Sequence, residues 1–93
     1  MENAIKLHYD VAGGDFVEAG TASGNVKKVL SQIGIDPAAI RRTAIAMYEG
    51  EINMVIHANG GTADVEVTNA YIEIVLRDNG PGIKDINLAM QAG

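Results

Sequence analysis

An α+β fold, a two-layer sandwich with helices packed on one face of a small and mainly antiparallel sheet, follows from three features of this sequence. Apolar residues alternate at period two over 4–11, 63–69 and 71–78. They recur at helical spacing from about Thr21 to Ile33, and again from Pro37 towards Ala58. Glycine pairs and Asp36-Pro37 separate these stretches, so helices and strands are segregated rather than interleaved.

Each element has a local reason. Ala4 to Val11 puts Ile5, Leu7, Tyr9 and Val11 on one face of a strand, and Gly13-Gly14-Asp15 breaks it. Thr21 or Ser23 can cap a helix whose inner face carries Val26, Val29, Leu30 and Ile33, with Gly34 as its stop. Asp36 is the expected N-cap of the second helix, and Pro37 fits its first turn, where a missing N–H costs nothing. Asn59-Gly60-Gly61 ends that helix. Residues 63–69 and 71–78 read as an antiparallel hairpin, and Ile83 to Met90 as a last short helix.

The second helix is apolar over well over half its circumference at about 100° per residue, which predicts packing on more than one side. Arg42, Glu49, Asn53 and His57 form the remaining polar stripe, expected to pair locally or to line a cavity. Glu51 projects into the apolar arc, where Arg41 or Arg42 is its expected partner. In the strand 71–78, Ile72, Ile74, Leu76 and Asp78 share a face, so the carboxylate should turn inward at the strand's end and need donors there.

The chain of 93 residues allows one domain with one modest core. Its net charge of −5 argues against a nucleic-acid binder, which needs a basic surface to displace counterions. The absence of cysteine excludes disulfides, thiolate metal sites and cysteine nucleophiles. No apolar run approaches the roughly 20 residues of a membrane span, and a cytoplasmic protein is expected. Ser23 and Ser31 have no base at a recognisable spacing, His8 should meet solvent, and His57 should satisfy the end of its helix.

Two short motifs carry a family likeness. Glu49-Gly-Glu-Ile-Asn53 resembles the N-box of the Bergerat-fold ATPases, and Asp78-Asn-Gly80-Pro-Gly82 resembles their first glycine box, Asp-x-Gly-x-Gly. Ile56-His57 just after the asparagine, the Leu76-Arg77 approach to the glycine box and the Ile83-Lys-Asp-Ile86 stretch after it are similar to the anti-sigma-factor serine kinase branch. The resemblance runs from Ile5 to Gly93 and identifies residues 1–93 as the N-terminal portion of a histidine-kinase-like ATPase domain. It implies ATP and Mg²⁺ as cofactors. Glu49 would be the general base, Asn53 a Mg²⁺ ligand through its amide oxygen, and Asp78 the acceptor for the adenine amino group. Gly80 and Gly82 would let the backbone approach the nucleoside.

The same resemblance implies a protein partner, either an antagonist of the anti-anti-sigma type or a sigma factor. Members of the branch continue into a lid and a second glycine-rich box around the phosphates. These 93 residues contain neither, and no phosphotransfer is expected of them alone. Without a further strand beside it, the strand 71–78 would be an exposed edge, which predicts a homo-oligomer formed across that edge. The alternative is a non-enzymatic docking or dimerising module with a vestigial nucleotide pocket.

Overall fold

β1 (Ile5–Ala12) is followed by α1 (Thr21–Gln32), α2 (Pro37–His57), β2 (Gly60–Val67), β3 (Tyr71–Asp78) and β4 (Asp85–Gln91). These elements belong to a computed structural model that describes residues 4–57, 59–78 and 85–91. The strands make one antiparallel sheet in the order β1-β2-β3-β4. Its registers place Leu7 against Val65, Val65 against Ile74, and Ile74 against Leu88.

Alternation decides which face is covered. Ala63, Val65 and Val67 of β2 and Ile72, Ile74 and Leu76 of β3 are buried beneath the helices. The residues between them, including Asp64, Glu66 and Glu73, are half-buried on the opposite, polar face. Val26 and Leu30 of α1 and Ile40, Met47 and Met54 of α2 complete the core. This is the α+β two-layer arrangement expected from the sequence. No helix among the described residues is long and apolar enough to cross a membrane.

Both helices stop and start on local chemistry, although not all of it is the chemistry expected. Asp36 caps α2, accepting hydrogen bonds from the N–H groups of Ala38 (3.2 Å) and Ala39 (3.3 Å). Gly34, at φ +80°, closes α1, with the Ile35 N–H reaching back to the Leu30 carbonyl at 3.1 Å. Neither Thr21 nor Ser23 caps α1. The N-cap is Gly20, left-handed at φ 95°, and it has no side chain to offer.

Three further expectations are corrected. The helix placed at 83–90 is instead β4 over 85–91, while residues 83 and 84 lie outside the described residues. In sequence Ile86, Leu88 and Met90 alternate at period two, and their register partners are Leu76, Ile74 and Ile72, the buried face of β3. A strand there supplies the second hydrogen-bonded neighbour that β3's backbone needs. It follows that β3 is an internal strand, so the edge expected at 71–78 is covered and strand addition there is closed. Finally, α2 packs on both α1 and the sheet, but not over its whole apolar arc. It buries an arc centred on Met47 and leaves Ile45, Tyr48 and Ile56 about half exposed, at 54%, 49% and 50%.

Candidate functional site

The site begins with two glycines that let α2 approach the sheet. A Cβ at Gly50 would run into the Leu76 side chain. A Cβ at Gly61 would lie 3.0 Å from the Met54 sulfur and 3.0 Å from the Asp78 Cα. Gly61 is also the register partner of Asp78. Positions 50 and 54 of the helix therefore track positions 76 and 78 of β3, one helical turn against one strand repeat.

Glu49 and Asn53 immediately precede Gly50 and Met54, and both are exposed. Asp78 is half-buried and continues the helix-covered face of Ile72, Ile74 and Leu76, as period two requires. The turn of α2 that carries Asn53 thus lies over the end of β3 that carries Asp78, with Glu49 one turn earlier on the same exposed stripe. Gly80 and Gly82 lie outside the described residues, as does the side chain of His57.

The remaining polar groups of α2 divide clearly. Arg42 is exposed, like Glu49 and Asn53, so the stripe faces solvent rather than an enclosed space. Glu51 is 4% exposed and does not pair with Arg41 or Arg42. Its two carboxylate oxygens accept the N–H groups of Ala22 and Ser23, each at 3.1 Å. A helix start holds unsatisfied donors and a partial positive charge, and Gly20 cannot serve them, so a carboxylate from the neighbouring helix takes the cap. The signal was in the sequence, since a lone carboxylate in an apolar arc must find donors, but the donors are backbone and lie 28–29 residues away along the chain.

Glu51 and Val55 also border a cavity of about 420 Å³ beside β1, whose rim includes Asp10, Asp15 and Glu18. Its carboxylates are engaged locally. Asp15 accepts the Glu18 N–H at 3.2 Å, and Glu18 accepts the Thr21 hydroxyl at 3.2 Å. On the open face of the sheet His8 bridges two strands, with Nδ1 2.6 Å from Asp64 and Nε2 3.2 Å from Asp10. Hydrogen bonding to Asp64 first, and to Asp10 second, raises the imidazole pKa above its ordinary value.

Among the described residues no three His, Asp or Glu side chains are grouped as a protein-only metal cage. The amide oxygen of Asn53 is a hard donor, of the kind that would hold Mg²⁺ while phosphates and water fill the rest of its shell. No protein-family model, curated protein or solved structure matches this chain.

Proposed function

We propose that this chain is an ATP-binding regulatory domain of the anti-sigma-factor serine kinase kind, working in the cytoplasm. The observation that carries the reading is the close seating of α2 on β3 through Gly50 and Gly61, which sets the Asn53 turn above the inward-facing Asp78. Asp78, half-buried at the rim of the core, accepts the exocyclic amino group of the purine. Asn53 offers its amide oxygen to Mg²⁺, and Glu49, one turn away, is placed to orient a hydroxyl as a base. Bound Mg²⁺-ATP supplies the charged, transferable phosphates. The proposal stops at binding for these 93 residues, because transfer depends on positive charge about the phosphates, which Glu49, Asn53 and Asp78 do not provide. A small antagonist protein or a sigma factor is the protein partner this reading implies.

A ligand held only by the native state must raise the melting temperature. At about ten times its dissociation constant the gain is about 1.4 kcal/mol, or several degrees for a domain of this size. Mg²⁺-ADP and Mg²⁺-ATP are expected to produce that shift in the wild type, and Asp78→Ala to abolish it while remaining folded. A folded wild type unmoved by millimolar nucleotide argues for the second reading, a docking module without a ligand. The half-exposed apolar residues on the outer arc of α2 favour that reading independently.

A further inference from the structure

β1 is an edge strand, so half of its backbone polar groups face away from β2. Ladder alternation fixes which half. The Thr68 N–H donates to the Tyr71 carbonyl at 2.9 Å, one step beyond the Val67 and Ile72 pair, so residues 68 and 71 are a hydrogen-bonded pair. Carried through the two registers, the same alternation bonds Ile5, Leu7, Tyr9 and Val11 to β2. Lys6, His8 and Asp10 therefore turn their N–H and C=O groups outward. Among the described residues no backbone group meets them.

The cavity of about 420 Å³ lies against that free edge. Its β1 wall is the unbroken run from His8 to Ala12, with residues of both faces, and no residue of β2 lines it. A hollow on one face of the sheet would instead touch alternate residues of neighbouring strands. The opposite wall is the loop after β1, the start of α1 at Thr21 and Ala22, and Glu51 and Val55 of α2. The result is a groove between a strand edge and two helices. At about 3.3 Å per residue it runs for about 13 Å, the length of about four extended residues.

Charge selects what enters. Asp10, Asp15 and Glu18 line the groove, and none of them has a Lys or Arg partner among the described residues. The donors that Asp15 and Glu18 hold are a backbone N–H and a hydroxyl, which leave both charges in place. Asp10 shares its one described partner, His8, with Asp64. A second copy is a poor occupant, because the chain carries a net charge of −5 and β4, its other edge strand, holds no basic residue. We propose that the groove binds an extended, lysine- or arginine-bearing segment of a partner protein, which adds to the sheet as a fifth strand beside β1. Backbone bonds to His8 and Asp10 supply the affinity, and the carboxylates select basic side chains. None of Glu49, Asn53 and Asp78 lines the groove, so this inference stands apart from the nucleotide reading.

Fluorescence anisotropy on the 93-residue chain tests the proposal, with a labelled hexapeptide of alternating lysine and valine as the probe. The peptide is expected to bind, to bind less well as salt rises, and to shift the amide NMR signals of His8 and Asp10. A peptide of alternating glutamate and valine should bind at least about tenfold more weakly. Two further peptides are methylated at every lysine backbone nitrogen or at every valine backbone nitrogen. One of them, whichever turns its methylated edge to β1, should lose at least about tenfold in affinity. Asp15→Asn with Glu18→Gln keeps the local acceptors and should weaken the lysine peptide about threefold or more. The proposal is overturned by an absence of binding at millimolar peptide, by shifts confined to β4, or by methylated peptides that both bind like the unmodified one. Spermidine binding as tightly as the peptide would also overturn it, since the groove would then be a site for small cations.

Discussion

His8 is the clearest titrating residue. Held by Asp64 and Asp10 on the open face of the sheet, with Asp64 also 3.5 Å from the Arg77 guanidinium, it binds a proton more tightly than a free imidazole of pKa 6.5. A raised folded-state pKa means that protonation favours the fold. Its contribution is complete below pH 6.5 and disappears as the pH rises through the higher folded value. An NMR titration of the His8 ring is expected to show that elevation, and Asp64→Asn should bring it most of the way down. An unchanged midpoint in the variant would remove Asp64 as the cause. At this scale the sequence is informative about direction and poor about partners. Period two was enough to aim Asp78 inward and His8 outward. It could not reveal that His8 would find Asp64, because that pairing exists only once β1 and β2 are in register.

Among the elements, α1 depends on α2 for its beginning. Gly20 offers no side chain, so the first turn of α1 is completed by Glu51. Hydrogen bonds to charged groups carry about 1.5–3 kcal/mol, and their loss here would leave buried N–H groups without acceptors. Glu51→Ala is accordingly expected to destabilise the protein by about 2–3 kcal/mol in urea denaturation, with Glu51→Gln losing less because an acceptor remains. A change below about half a kcal/mol in the alanine variant would show that water replaces the cap, as at ordinary surface positions. The elements with strong local codes were legible in advance. They include the Asp36-Pro37 start of α2, the Gly34 stop of α1 and the hairpin of β2 and β3. The segment 85–91 was not, because Ile86, Leu88 and Met90 satisfy a strand's period while the same short stretch can also be written on a helix. Its pairing with β3 decides between them.

For the molecule as a whole, the sheet's order fixes where its edges lie. With β4 in place the edges are β1 and β4, and β3, with Ile72 and Ile74 fully buried, is internal. Removing residues 85–93 should turn β3 into an apolar edge, a configuration prone to pair with other chains. The shortened protein is expected to melt earlier and to scatter light at concentrations where the 93-residue chain stays clear. Equal stability and solubility in the two would mean that β4 contributes little to the sheet. The same large-scale geometry seats α2 on the sheet at Gly50 and Gly61, and so sets the distance between its polar stripe and Asp78.

Taken alone, the amino-acid order determined the kind of fold, the faces of its strands and the caps written in neighbouring residues. These depend on periodicity and on interactions a few residues long. Tertiary structure decided the partner of Glu51, the strand at 85–91, the internal place of β3, and the exposure of Ile45, Tyr48 and Ile56. Each of these is settled by which distant segment reaches a given surface first, and backbone groups and apolar area accept partners without regard to their distance along the chain.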